Sequence, residues 1–540
     1  MANDVLTTQP DTITQPRLGP VGSLRWAWRQ LTSMRTALFL LLLLAVGAVP
    51  GSIWPQRSID AARTADYIAQ HATTGPWLDR LGFFEVYASP WFSAIYLLLF
   101  ISLVGCVLPR SRAHWKALRS RPPRAPRRLD RLPEHRSAEV EGVVDDIRDD
   151  VLDAARTALR GKRFRVVGHR ESADGESVSA EAGYLKETGN LAFHLALILV
   201  IVGVAWGHLL GWKGDVIVPV GQTFANTLSR FDTFSPGPWV DPGKLTPFTV
   251  TVNRLDATFE DTTTGRGQFG APRDFTAYTT VVDQPGDASR AATVKVNHPL
   301  EMRGATVFLL GNGYAPVITV RDSTGAVVYH DATPFLAQDN NYKSVGAVKV
   351  AGAQPRQLGF FGLFLPTAVI DPELGPTSIF PDARRPALAL GLYEGELFPS
   401  GRPQSVYTLD TEQLTQVKND KGQPLRIWLE PGKTVQLPGG RGSITFDGVE
   451  RFAGLSVRSD PGKWLTLWSA LLALAGLVAS LVVKRRRVFV RVAASEADRG
   501  RTVVTVAGLS KDDDVALGER LEQVLQGLLD TMTQRTQEKR

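Results

Sequence analysis

The amino-acid sequence predicts a polytopic α-helical membrane protein. It should have four transmembrane helices with both termini inside, a large extracytoplasmic all-β domain, and small cytoplasmic α+β segments. Three observations carry that expectation. Four uncharged runs are each long enough to fill a bilayer core of roughly 30 Å, which takes about 20 helical residues. The net charge of +7 is gathered into one short segment, because ten Lys/Arg and two Asp/Glu stand between Arg110 and Arg136. That segment follows an apolar run directly, as a cytoplasmic loop does, so the basicity does not point to nucleic acid. Finally, residues 213–463 break into short β-patterned pieces separated by Gly, Pro and Asp.

Residues 1–35 read as a cytoplasmic N-terminal tail whose Thr/Pro-rich first 20 residues are expected to be disordered. The first span is 36–55. Its most apolar part, 38–49, has the length of a signal-peptide core, but the 35 residues before it and the run on to Pro55 favour an uncleaved anchor. An outer loop, 56–85, balances Arg57, Arg63 and Arg80 against Asp60, Asp66, Asp79 and Glu85. The second span is 86–109. A cytoplasmic basic loop and small α+β domain fill 110–187, where Val144, Ile147, Val151, Leu152, Ala155 and Leu159 have helical spacing and 164–167 and 178–180 read as strands.

The third span, 188–212, leads into the outer domain at 213–463, expected to be an antiparallel sandwich or open barrel. Within it, 304–320 reads as two strands around an Asn312-Gly313 turn. The uncharged stretch 357–370, with Phe360, Phe361, Phe364 and Leu365, is either a buried strand or a loop lying on the membrane or a partner. The fourth span is 464–483. A cytoplasmic C-terminal tail, 484–540, should hold strands at 488–492 and 502–506. A helix from Ser510 follows, with Leu517, Leu521, Val524, Leu525, Leu528 and Leu529 on one face. Orientation follows from Arg25, Arg29 and Arg35 before span one, Arg110, Arg112, Lys116 and Arg119 after span two, and Lys484 to Arg487 after span four.

Cys106 is the single cysteine, so the chain has no internal disulfide and no haem-attachment C-x-x-C-H of its own. It reads as a small apolar residue near the inner end of span two. Nucleotide-binding glycine loops, H-E-x-x-H and G-x-S-x-G are also missing from the sequence. The common soluble-enzyme readings are therefore weak, and no catalytic residue is assigned.

Of eight histidines, His71, His298 and His330 fall in outer segments and His114, His135 and His169 in inner ones, all with ordinary surface or turn roles. His194 lies within a predicted span. An ionisable group at that depth is costly and should face the bundle or a partner. Either it makes an interhelical hydrogen bond or its neutral imidazole is an axial ligand to haem iron. His208 stands 14 residues on, about 21 Å further along a helix, so the two cannot hold one iron. Trp206 and Trp212 around it fit an interfacial belt. With no histidine in the other predicted spans, a second axial ligand would have to come from a partner.

Several motifs go together. Leu81-Gly82-Phe83-Phe84-Glu85-Val86-Tyr87-Ala88-Ser89-Pro90-Trp91-Phe92 leads to Gly105-Cys106-Val107-Leu108-Pro109-Arg110. Gly189-Asn190-Leu191-Ala192-Phe193-His194 opens span three, and Asn297-His298-Pro299 and Gly311-Asn312-Gly313-Tyr314-Ala315-Pro316 follow. Asp460-Pro461-Gly462 precedes span four, and Arg485-Arg486-Arg487-Val488-Phe489-Val490 closes it. With the three-plus-one span layout, this resembles the ResB (CcsB) family of cytochrome c biogenesis proteins over about residues 20–493.

The resemblance implies a subunit of the system II machinery, a multi-pass protein of the cell membrane acting with a CcsA-type partner. Together they would carry haem across the membrane and present it to apocytochrome c, whose two thiols add to the haem vinyl groups. It implies that His194 is the candidate haem axial ligand, that haem is held transiently and shared with the partner, and that the remaining histidine ligands and a Trp-rich haem-handling segment belong to CcsA. A thiol reductant is a further possible partner, since no cysteine lies in the outer domain. The chain alone would be non-catalytic, and residues 494–540 would be a variable tail. The alternative from another class is a membrane-anchored envelope receptor or assembly factor whose outer β-sandwich binds protein or glycan. His194 discriminates between them, because its loss should hardly matter to a receptor.

Overall fold

The computed structural model describes residues 19–169, 176–262, 268–373, 375–398, 407–411, 413–495, 500–510 and 514–538. The disorder expected at the N-terminus falls, up to residue 18, outside the described residues, as does the first turn of the helix expected from Ser510. The chain divides into two compact units, one of Met1–Gly203 with Trp464–Arg540, the other Val204–Lys463.

Nine α-helices are described: α1 (Pro20–Leu31), α2 (Met34–Ile53), α3 (Ala61–Gln70), α4 (Gly75–Arg80), α5 (Pro90–Arg119), α6 (Val144–Gly161), α7 (Leu185–Leu210), α8 (Lys463–Val482) and α9 (Ala516–Glu538). Four of them, α2, α5, α7 and α8, are long and apolar enough to cross a membrane. Local chemistry sets their ends. Ser33 caps α2 by accepting the Thr36 N–H at 3.2 Å. α5 begins at Pro90 because Ser89 accepts the Phe92 N–H at 3.3 Å and proline suits the first helical position. The uncharged residues just before it, Val86–Ala88, form a 3-10 turn instead. α5 then continues past the uncharged run to Arg119, because Arg, Ala, Lys and Leu are good helix formers whether or not lipid surrounds them.

The segment between α2 and α5 is folded around Gln56. Its side-chain amide donates to the carbonyls of Trp54 and Phe83 at 3.0 Å each, and its oxygen accepts from the Val86 N–H at 3.1 Å. Phe84 and Val86 are fully buried there. The Leu81–Phe92 motif is thus the elbow that returns the chain to the membrane.

The largest departure from the sequence reading is in the inner α+β segments, which form one domain. Its five-stranded antiparallel sheet runs Glu134–Glu141, Arg501–Ser510, Arg486–Ala494, Ser177–Ala182, Arg165–His169. Helices α6 and α9 pack on one face, where Val151, Leu152, Leu159, Leu521 and Val524 meet Val178, Val490 and Val506. On the other face the basic linker lies down, burying Ala125 and Leu129 against Phe489 and Ala507. The residues after 494 therefore complete the core of this domain and are not a loose tail. Pairing of Arg486 with Ala182 and of Val490 with Val178 brings the start of α7 and the end of α8 together.

The second unit is β-rich, as composition and turn spacing predict. Two 17-residue strands, Ala305–Arg321 and Ser443–Ser459, pair antiparallel along their length. One half of the pair shares a core with the four-stranded sheet of Thr223–Ala225, Thr249–Phe259, Pro272–Val282 and Arg290–Lys295, through Val250, Val281, Val307 and Leu455. The other half packs on the sheet containing Ser344–Val350, Leu358–Leu365 and Ala387–Gly395, through Ile318, Phe360, Phe364 and Phe446.

Residues 304–320 are thus one strand, not two around a turn. Gly313 is needed for closeness and not for a bend, because a Cβ there would lie 2.3 Å from the Phe452 ring. The stretch 357–370 is mainly the buried strand Leu358–Leu365, with Phe360, Phe364 and Leu365 at 0% exposure. Each such side chain contributes about 1.5–3 kcal/mol by leaving water.

Candidate functional site

α7 and α8 meet along a seam of small residues. A Cβ added at Gly189 would lie 2.7 Å from the Gly476 carbonyl oxygen and 2.9 Å from Ala479 Cβ, and one at Gly203 would lie 2.5 Å from Thr466 Oγ1. Ala196, Ser469 and Ala473 are buried along the same line. Small residues let the backbones approach, which is how helices associate where lipid removes the hydrophobic drive.

That seam fixes where His194 points. At about 100° per residue, Gly189, Ala196 and Gly203 share the face toward α8, and His194 falls about 140° from Gly189, on the far side. Its ring is half-buried and meets Phe193 edge-on at 5.1 Å. His194 Nδ1 is 2.7 Å from the Asn190 carbonyl oxygen. A carbonyl only accepts, so Nδ1 carries the proton and donates, leaving Nε2 with its lone pair. Among the described residues Nε2 has no hydrogen-bond partner.

This is the tautomer and orientation that a second hydrogen bond imposes on a metal-ligating imidazole, so the donor fits one axial position on haem iron. Among the described residues no group of three or more His, Cys, Asp or Glu is placed to hold a metal. His194 therefore offers one ligand and not a closed site.

The structure assembles a polar cluster at the start of α7 that sequence spacing does not reveal. His114, on the extension of α5, has a side chain only 9% exposed. Its Nε2 is 2.9 Å from Thr188 Oγ1 and its Nδ1 3.4 Å from Glu187. Arg485 bridges Glu187 and Glu181, with its Nη2 2.7 Å from Glu181 Oε1, and lies 5.1 Å from the centre of the Tyr184 ring. Arg487 Nε reaches Glu181 at 2.8 Å, and the Tyr184 hydroxyl donates to it at 2.7 Å. Burial works to raise the Glu181 pKa, but the bonds from Tyr184, Arg487 and Arg485 together hold it below its ordinary value.

Asp514, its side chain 1% exposed, takes Arg486 at 2.5 Å and Lys484 at 3.4 Å, and these hydrogen bonds lower its pKa. The four basic residues closing α8 are thus built into the inner domain and do not merely mark a membrane side. His114 lies beyond the predicted span 86–109, which holds no histidine, on the part of α5 that continues past the apolar run.

The other histidines keep local roles. His71 stacks on Tyr67 at 4.1 Å and bonds its carbonyl, and His298 follows the positive-φ Asn297 in a tight turn. His208 is exposed in the last turn of α7. Cys106 is more than a small apolar filler, because its Sγ donates to the Thr32 carbonyl at 2.7 Å.

In the second unit, the Gly311–Pro316 motif centres on Tyr314, 1% exposed. Its hydroxyl donates to the Pro381 carbonyl at 2.9 Å, and Arg451 lies over its ring at 4.6 Å while pairing with Asp382 at 2.8 Å. Burial pushes the Tyr314 pKa well up. The motif is a structural lock where the two β cores join.

Comparison with known proteins gives a consistent picture. The sequence pattern of the ResB-like family matches residues 34–522. A relative from Synechococcus sp. (strain CC9311), "Cytochrome c biogenesis protein CcsB", is 28% identical over 298 residues, 53% of this chain and 60% of its own length. That match therefore spans about three fifths of the relative. Proteins of the same name are 25% identical over 82% of both chains in Synechococcus sp. (strain JA-2-3B'a(2-13)), and 24% identical over 85% of this chain and 84% of theirs in Synechococcus elongatus (strain ATCC 33912 / PCC 7942 / FACHB-805).

Proposed function

This chain belongs to the ResB-like family, whose pattern it matches over residues 34–522, and on that premise we propose that it is a membrane subunit of a cytochrome c maturation complex. It acts with a CcsA-type partner to pass haem across the membrane and present it to apocytochrome c. The observation that carries this reading is His194: a fixed tautomer, a free Nε2, and a position on the face of α7 turned away from α8. A ligand on that face is available to another protein, so a partner would supply the remaining ligand to haem held by His194.

Both termini lie in the cytoplasm and the β unit lies outside. The basic flanks support this, as does the joining of the start of α7 to the end of α8 through one sheet. The chain's own residues hold and orient the cargo: Asn190 sets the imidazole proton, and the cluster of His114, Glu187 and Arg485 anchors the base of the helix that carries it. Attachment joins each cysteine sulfur of apocytochrome c to a vinyl carbon, the thiol hydrogen going to the neighbouring carbon. A separate thiol reductant must keep those cysteines reduced, because Cys106 is this chain's sole cysteine and lies in a span.

The test is the absorption spectrum of the detergent-purified protein, co-expressed with and without CcsA, as wild type and His194→Ala. A Soret band that requires the partner and is lost or shifted in the variant is the expected result. Normal cytochrome c maturation by a haem-free His194→Ala complex would move the chemistry to the outer unit and favour a binding protein of the envelope.

A further inference from the structure

α1 lies in the stretch expected to be an N-terminal tail, yet it is a 12-residue amphipathic helix of which no residue is buried. At about 100° per residue, Val21, Leu24, Trp28 and Leu31 share one side, and Arg25 and Arg29 run along one edge of it. Val21 is 74% and Leu24 76% exposed, and Trp26 and Trp28 stand 56% and 52% exposed. An apolar helix face left open in this way needs a covering.

The position of α1 says what the covering is. Its C-terminal end is tied into α5: Ser102 Oγ donates to the Leu31 carbonyl at 2.6 Å and Cys106 Sγ to the Thr32 carbonyl at 2.7 Å. Thr36 Oγ1 closes the elbow into α2 by donating to the Gln30 carbonyl at 2.7 Å. Cys106 precedes Arg110, the first charge of α5, by one turn, about 6 Å along the axis. The elbow therefore sits at the apolar–polar boundary of two membrane-spanning helices. Around that boundary stand Arg25, Arg29, Arg35, Arg110, Arg112, Lys116 and Arg119. Neither 19–59 nor 86–129 contains an acidic residue at this end of the helices, since the first after α5 is Asp130. Trp115 is 57% exposed on the same extension of α5, with the Arg119 guanidinium over its ring at 4.4 Å.

We propose that α1 lies in the plane of the membrane interface and, with the basic extension of α5, forms a collar that binds the headgroups of anionic phospholipids. The apolar face of α1 enters the acyl boundary, with Trp28 on that face at headgroup depth. The arginines pair with lipid phosphates, each basic residue near the surface adding attraction to an anionic leaflet. This inference rests on the membrane-spanning reading of α2 and α5 and is independent of haem.

The experiment uses the full chain in nanodiscs of phosphatidylcholine with phosphatidylglycerol. Nitroxide labels are placed by Leu24→Cys and, separately, Arg29→Cys, each on a Cys106→Ser background whose hydroxyl keeps a donor for the Thr32 carbonyl. The expected result is a Leu24 label shielded from a water-soluble relaxing agent but open to oxygen, with the Arg29 label the reverse. Phosphatidylglycerol retained after detergent extraction, read by mass spectrometry, should fall several-fold in an Arg25→Gln/Arg29→Gln/Arg112→Gln variant whose circular dichroism matches the wild type. Equal water access at the two labelled positions overturns the in-plane placement. Unchanged phosphatidylglycerol retention in the glutamine variant overturns the collar. Shielding of Leu24 from both agents means that a protein surface covers α1 and likewise overturns the proposal. None of these readouts depends on cytochrome c maturation, so failure here and failure of the haem reading are told apart.

Discussion

His194 and His114 are both helix-borne, and they are used differently. The His194 side chain bonds only its own helix, through Asn190, so His194→Ala should leave the thermal melt of the purified protein within about 0.5 kcal/mol of wild type. Haem retention should vanish and be partly restored by millimolar imidazole. A spectrum that imidazole cannot restore would show that the side chain acts through packing. His114 ties α5 to Thr188 and Glu187 from a nearly buried position. His114→Ala should therefore cost about 0.5–1.5 kcal/mol, the usual net worth of a hydrogen bond whose partners can turn to other groups or water, read as a lowered melting temperature in the same assay. Sequence alone made His194 visible because a histidine among leucines is conspicuous. His114 was hidden because it follows Arg110 and Arg112, where the uncharged run has ended although the helix has not.

Among the elements, the four apolar helices were legible since length and the absence of charge are one-dimensional properties. α1 and α3 were not, because their apolar residues are spaced and mixed with charge. The strand Ala305–Arg321 was misread for a related reason: Asn312-Gly313 is a strong hairpin signal, but Gly313 is there to admit the Phe452 ring, a contact made with a residue far along the chain. The α7–α8 seam is similarly invisible in a hydropathy plot, since Gly189 and Gly476 look like ordinary small residues until paired. Gly476→Val should separate these helices, because its side chain would enter the Gly189 carbonyl and the Phe193 backbone. Overpacking of this kind costs about 1–3 kcal/mol. Disulfide trapping between Ala196→Cys and Ala473→Cys, efficient in the parent and lost with Gly476→Val, checks it.

At the scale of the whole molecule, acid should weaken the domain that holds Glu181 and Asp514. Glu181 and Asp514 have pKa values below their ordinary 4.5 and 3.8. Their contribution to stability is thus present above those values and is lost as pH falls through the lower folded-state ones. Melting temperature should hold from neutrality to about pH 5 and then fall, and Glu181→Gln should flatten the decline. Leu521→Asp, placing a charge at a 0% exposed position of α9, should open the inner domain to limited proteolysis while the outer unit stays resistant.

The architecture also has a consequence in time. Half of the inner sheet, with Val178 and the apolar side of α6, emerges from the ribosome about 300 residues before the strands that complete it, a long loop to close. Until Arg486–Ala494 and Arg501–Ser510 follow, that half-domain waits with an open edge and nothing to pair with there. It closes only where the start of α7 and the end of α8 lie on one side of the membrane, so its closure reports on how the two helices are threaded. A chain that threads one of the two helices wrongly keeps an unfinished sheet, open to proteolysis.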